Sequence, residues 1–83
     1  MAESDAVRDL VLRIARDLVD TPESVNVQAI ADGEAGTLLR LTVAPGDVGK
    51  IVGKQGRTAR SIRTILSGVS MKIKHRISLD IVE

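Results

Sequence analysis

The sequence predicts an α+β fold in which a three-stranded mixed sheet is covered on one face by helices. Apolar residues recur at helical spacing in three segments and alternate at strand spacing in three others, in the order α-β-β-α-α-β. Two helices separate the second strand from the third, a crossover that permits parallel pairing, while a short turn joins the first strand to the second as an antiparallel hairpin. A chain of 83 residues, 43% of them apolar, is the size of one domain. A single domain over 1–83, with its core at about 5–82, is therefore expected.

The first helix is expected at about 5–20. Val7, Leu10, Val11, Ile14 and Leu18 fall on one face of it. Ser4 or Asp5 can cap its start with a side-chain oxygen, and Thr21-Pro22 ends it, because proline disfavours helical geometry in the residue before it. Val25, Val27, Ala29 and Ala31 then alternate with Asn26, Gln28 and Ile30 as a strand. Asp32 to Gly36 supplies a five-residue turn, and Leu39, Leu41 and Val43 alternate with Leu38, Arg40 and Thr42 as the second strand. Pro45 suits a helix opening. Val48, Ile51 and Val52 share a face of a short helix that Gly53 stops. The next helix starts near Arg57, with Ala59, Ile62, Ile65 and Leu66 as its apolar face and Arg57, Arg60 and Arg63 on another flank. Ser67-Gly68 is expected to end it. The last strand is expected across Met71 to Ile81, with Lys72, Lys74 and Arg76 projecting from its polar face and His75 in its apolar register.

The net charge of +1 conceals an uneven distribution. Residues 1–49 carry four arginines against nine acids, and residues 50–79 carry eight cations and no acid. Such asymmetry fits a polyanionic partner or a solvated basic surface. Several chemistries are excluded. With no cysteine there is no disulfide or thiolate site, and with one histidine there is no multi-histidine metal site; no cofactor and no metal are expected. His75 and Asp80 are five residues apart in one strand, about 17 Å, too far for a catalytic pair. No acid-base or nucleophile set converges, so no enzyme is expected. With no Phe, Trp or Tyr, bases cannot be held on aromatic rings. The longest uncharged stretches, Ser24 to Ala31 and Thr64 to Met71, are eight residues each, far short of a membrane span. The N-terminus is acidic where a secretory signal would be basic, and a cytoplasmic location is expected.

The segment Ile51-Val52-Gly53-Lys54-Gln55-Gly56-Arg57 joins two helices through a tight loop. Glycine at both ends permits unusual backbone angles and keeps side chains away from an approaching ligand. The helix that follows offers unpaired N–H groups and a partial positive charge to a phosphate, and Lys54, Arg57 and Arg60 add full charges. The loop is not a Walker motif, since Gly49-Lys50 is followed by Ile51 and Ala44 stands at the first glycine position; nor is it a dinucleotide fingerprint, since Gly53 and Gly56 follow a helix.

The segment resembles the KH-domain signature, in which two aliphatic residues precede Gly-x-x-Gly and an isoleucine lies six residues beyond it. Ile51, Val52, Gly53, Gly56 and Ile62 match it, while Ala59 stands where many KH domains carry a larger aliphatic residue. The element order is similar to the type II arrangement, and a solitary domain of this length resembles the KhpA family of small bacterial RNA-binding proteins. That resemblance implies a non-catalytic protein that binds single-stranded RNA, in post-transcriptional regulation or as an RNA chaperone. It also implies pairing, either as a homodimer or with a larger KH-containing protein of the KhpB/Jag type. Gly53, Lys54, Gln55 and Gly56 would contact the RNA backbone, Ile51, Val52 and Ile62 would form the aliphatic floor and its support, and the last strand near Ile73 to Arg76 would form the opposite wall. Arg57, Arg60, Lys72, Lys74 and Arg76 complete the expected RNA-binding set.

Overall fold

A computed structural model describes residues 3–34 and 36–82. The elements are α1 (Glu3–Leu18), β1 (Asn26–Ala31), β2 (Gly36–Thr42), α2 (Val48–Val52), α3 (Arg57–Ile73) and β3 (Arg76–Ile81), with single 3-10 turns at Pro22–Ser24, Pro45–Asp47 and Lys54–Gly56. The strands lie in the order β1-β2-β3. β1 pairs antiparallel with β2, and β2 pairs parallel with β3. This is the expected α+β arrangement with a mixed sheet, the type II KH fold.

Register decides which side of the sheet is buried. Val27 stands opposite Leu41 and Leu39 opposite Leu79, so these side chains share one face, and all of them are buried together with Ile77. α1 packs on this face at β1 and α3 at β3. Val7, Val11 and Ala15 from α1, Ile51 from α2, and Ile62 and Leu66 from α3 complete the core. The other face carries the exposed Asn26, Gln28, Arg40 and Thr42. Asp47 is buried at 3% exposure, and its carboxylate accepts the backbone N–H of Thr21 at 3.0 Å. One side chain thus ties the segment after α1 to the start of α2.

The structure corrects five expectations. Ser4 and Asp5 lie inside α1 and not at its cap. On α1, Leu10 and Leu18 are exposed, and Ala15 takes the inward position between Val11 and Leu18. The turn between β1 and β2 is shorter than five residues, because Gly36 is already in register with Arg76 as part of β2; Ala35, in that turn, lies outside the described residues. On α3, Ile65 points outward at 49% exposure.

The fifth correction is the largest. Ser67-Gly68 does not end α3, which continues to Ile73, so Met71, Lys72 and Ile73 are helical and β3 begins only at Arg76. Glycine inside a helix costs only about 1 kcal/mol relative to alanine, and other bonds offset it. Ser70 Oγ donates to the carbonyl of Leu66 at 2.7 Å and accepts the N–H of Ile77 at 2.9 Å, joining helix to strand. The helix stops at Lys74, which takes left-handed angles (φ 56, ψ 38) and returns its N–H to the carbonyl of Ser70. His75 sits in that turn, not in the strand, and its Nε2 shares a 2.7 Å hydrogen bond with Thr37 Oγ1.

Candidate nucleic-acid interface

The loop between α2 and α3 is built from three left-handed residues: Gly53 (φ 78), Gln55 (φ 58) and Gly56 (φ 72). Gly53 ends α2 by donating to the carbonyl of Gly49 at 2.8 Å, and Gly56 closes the loop by donating to the carbonyl of Gly53 at 3.1 Å. The two glycines are needed for different reasons. A Cβ on Gly53 would collide with the Thr58 side chain, whereas a Cβ on Gly56 would meet nothing within 4 Å. The space beside Gly56 is open to an approaching ligand.

Positive charge gathers around that opening. Lys54 and Gln55 are exposed, and no side chain caps the first turn of α3, where the Arg57 N–H donates to the carbonyl of Lys54 and the helix end carries a partial positive charge. Arg57 donates to Gln55 Oε1 at 3.4 Å and Arg60 to the carbonyl of Gln55 at 3.5 Å, so both guanidinium groups fold over the loop. Among the described residues, Lys54, Arg57, Arg60 and Arg63 form no ion pair, unlike Arg8, Arg40, Lys50 and Arg76. Their charge is available to an anion.

Beside the loop runs a cavity of about 630 Å³, lined by Val52, Gly56, Ala59, Arg60, Arg63, Asp80 and Ile81. Helix α3 forms one wall and the outer edge of β3 the other. That edge carries open backbone groups. Val82 donates to the carbonyl of Leu41 at 3.0 Å, so even-numbered residues of β3 face β2, and alternation turns the N–H and C=O groups of Ile77, Leu79 and Ile81 outward. Ser70 takes the N–H of Ile77, leaving those of Leu79 and Ile81 facing the cavity side.

The structure brings together Val52, Gly53, Lys54, Gln55, Gly56, Arg57 and Arg60 around the loop and cavity. Ile51 is fully buried and Ile62 nearly so, supporting the loop from the core. Lys72, Lys74 and Arg76 do not join that group. Lys72 is in the last turn of α3, about 22 Å along the helix from Arg57, and Lys74 is the left-handed residue after it. Arg76 is on β3, but its guanidinium turns across Gly36 to the carbonyl of Asp32 (3.2 Å) and the Asp32 carboxylate (3.5 Å). Arg63, Asp80 and Ile81 line the cavity although the sequence did not place them in the expected RNA-binding set. Arg63 was legible as the next cation on the flank of Arg60; Asp80 and Ile81 depend on where β3 starts.

The profile of the KhpA/KhpB KH domain matches residues 8–81. The chain belongs to the KhpA/KhpB family of KH domains. It is 44% identical over 78 residues to the RNA-binding protein KhpA of Aquifex aeolicus, covering 94% of this chain and 98% of that protein. It is 41% identical to the RNA-binding protein KhpA of Clostridium acetobutylicum, covering 92% of this chain and 100% of that one. These KhpA relatives are named for RNA binding and not for a catalysed reaction. Among solved structures, a variant of Aquifex aeolicus Era bound to GDP.AlF4- superposes with a TM-score of 0.62 at 17% identity. The match covers 92% of this chain and 29% of that longer one, and at this identity it speaks for a shared fold alone.

Proposed function

We propose that this member of the KhpA/KhpB family is a non-catalytic, cytoplasmic RNA-binding protein that holds single-stranded RNA across the loop and cavity beside α3. Its main support is the loop itself. The open space at Gly56 and the start of α3 form a seat for a phosphate, among cations that have no carboxylate partner among the described residues. Val52 and Ala59 give bases an apolar floor, and the outward N–H and C=O groups of β3 offer them hydrogen bonds. A trough of this kind takes one strand, not a duplex, and the family loop clamps about four nucleotides. Modest affinity and weak sequence preference follow, as suits an RNA chaperone or a post-transcriptional regulator. The relatives' names favour RNA over single-stranded DNA.

The exposed apolar residues of α3 favour a second, compatible reading. Ile65 is 49% and Met71 80% exposed. A protein contact there would suit a homodimer or a heterodimer with a larger KH-containing protein of the KhpB/Jag type. Both readings are separable by experiment. RNA retention by the isolated chain tests the first, and light scattering of the parent against Ile65→Lys tests the second.

A further inference from the structure

The strand order β1-β2-β3 leaves β1 at the edge of the sheet away from the RNA-binding cavity. Two hydrogen bonds show which of its backbone groups are open. Asp32 donates to the carbonyl of Gly36 at 3.0 Å, so even-numbered residues of β1 face β2, and alternation turns the N–H and C=O groups of Val27, Ala29 and Ala31 outward. The Arg8 guanidinium marks the same direction, donating to the Val27 carbonyl at 3.4 Å. Exposed edges are normally blunted by a lysine, a proline or a bulge. Asn26 to Ala31 hold none of these: the segment is uncharged and free of proline, and its register against β2 runs one to one from Asn26–Thr42 to Ala31–Thr37. The edge also has two unlike halves. α1 packs over β1 and Val27 is buried, whereas Ala29 and Ala31, on the same face of the sheet, are exposed.

We infer that a second copy of this chain covers the edge, its β1 pairing antiparallel with β1 about a two-fold axis at Ala29. The edge is complementary to itself in three ways. First, an axis at Ala29 sets Ala29 opposite Ala29 and Val27 opposite Ala31, so each outward residue meets an outward residue and exchanges two backbone hydrogen bonds with it. An axis at Gln28 or Ile30 would instead carry Ala31 or Val27 past the end of the partner copy's strand. Second, the half of one edge that α1 covers lies against the bare half of the other. The α1 of each copy thus stands beside the exposed Ala31 of its partner, where a small side chain leaves room. Third, on the other face of the sheet Gln28 meets Ile30 and Asn26 meets Asp32, an amide beside a carboxylate, and no like charges fall opposite each other. Pairing joins two three-stranded sheets into one continuous sheet. It uses neither Ile65 nor Met71, and it leaves both RNA-binding cavities open at the far edges.

The chain has no cysteine, so a single introduced thiol reads the register directly. Ala29→Cys places two thiols on a hydrogen-bonded pair with Cα atoms about 5.5 Å apart, inside the span of roughly 4.4–6.8 Å that a disulfide bridges. Ala31→Cys, exposed on the same face, separates them by about 14 Å along the strands. The test treats each full chain with the thiol oxidant diamide over a range of protein concentrations and reads non-reducing electrophoresis and intact mass. Ala29→Cys should shift to a covalent dimer that a thiol reductant returns to monomer, and Ala31→Cys should stay monomeric. Adding Ala31→Pro to Ala29→Cys deletes an outward N–H that the ladder with β2 does not use, and the shift should be lost. Adding Ile65→Lys to Ala29→Cys should leave the shift in place. No shift in Ala29→Cys, an equal shift in Ala31→Cys, or a shift that survives Ala31→Pro would each overturn the inference. Loss of the shift with Ile65→Lys would also overturn it, and would assign the pairing to α3. Circular dichroism melts of every variant establish that folded proteins are compared.

Discussion

Gly53 and Thr58 pack against each other so closely that no side chain fits between them. A Cβ built on Gly53 would overlap Thr58 Oγ1 and lie 2.7 Å from Thr58 Cβ and 2.9 Å from its backbone nitrogen. The backbone of the next helix cannot move aside without unwinding, and φ at Gly53 is +78 besides. Thr58 therefore fixes the angle at which α2 hands the chain to α3, and with it the position of the whole loop.

Gly53→Ala should accordingly destabilise the domain by about 2 kcal/mol or more, combining backbone strain with a clash. Gly56→Ala should cost only the strain of a left-handed alanine, about 1 kcal/mol, yet weaken RNA binding, because its methyl group would occupy the open seat. Thermal melting read beside RNA affinity separates the two. Equal stability losses for both alanines would contradict this division of labour.

Asp47 is the buried charged residue among those described, and it holds the N–H of Thr21. Asp47→Ala would leave that donor without its partner, and a loss of about 1–3 kcal/mol is expected. Asp47→Asn, which keeps an acceptor oxygen, should recover a large part of it. Denaturant titration of the two variants measures the difference, and equal losses would remove the hydrogen bond as the explanation.

Ser70 joins α3 to β3 by taking the N–H of Ile77 at 2.9 Å. Ser70→Ala should cost about 1 kcal/mol and speed amide exchange at Ile77, leaving amides of β1 at parent rates once the change in global stability is subtracted. Unchanged protection at Ile77 would show that another group holds that edge.

Most of the fold was legible because period and turn chemistry agree. The helix–loop–helix around Gly53 to Gly56, the hairpin, and the crossover that makes β3 parallel to β2 all follow from local pattern. The helix-to-strand boundary after Leu66 was not. Gly68 looks like a stop and Met71 to Lys74 alternate like a strand, but glycine tolerates a helix interior, and the actual stop is a left-handed lysine, Lys74, where glycine or asparagine is usual. The real boundary depends on Ser70 reaching Ile77, a contact that sequence spacing does not reveal. From that one misplaced boundary came the assignment of Lys72 and Lys74 to a strand wall, and the omission of Asp80 and Ile81 from the cavity. The turn of Arg76 away to Asp32 was equally hidden, since it needs the register of β3 against Gly36.

Salt should weaken binding in proportion to the phosphates that are neutralised. With about three contacts among Lys54, Arg57, Arg60 and Arg63, log affinity for single-stranded RNA should fall against log salt with a slope of roughly −2. Arg60→Gln should make that slope shallower by about 0.7, the loss of one contact. An affinity indifferent to salt, or tighter binding to duplex RNA, would contradict a single strand held by its phosphates.

The central claim is that the Gly53 to Gly56 loop is the place where RNA is held, and replacing Lys54 and Gln55 together by Asp tests it most directly. Both side chains are exposed, so the change in stability should stay within about 0.5 kcal/mol. The new carboxylates would stand at the phosphate seat and compete for the partial positive charge at the start of α3. Ile62→Asp, which buries a charge in the core, is the contrasting variant and should unfold the domain. The measurement is RNA affinity of the double variant alongside its melting curve. Parent-like melting with binding abolished is the predicted result, and parent-like melting with parent-like affinity would contradict it.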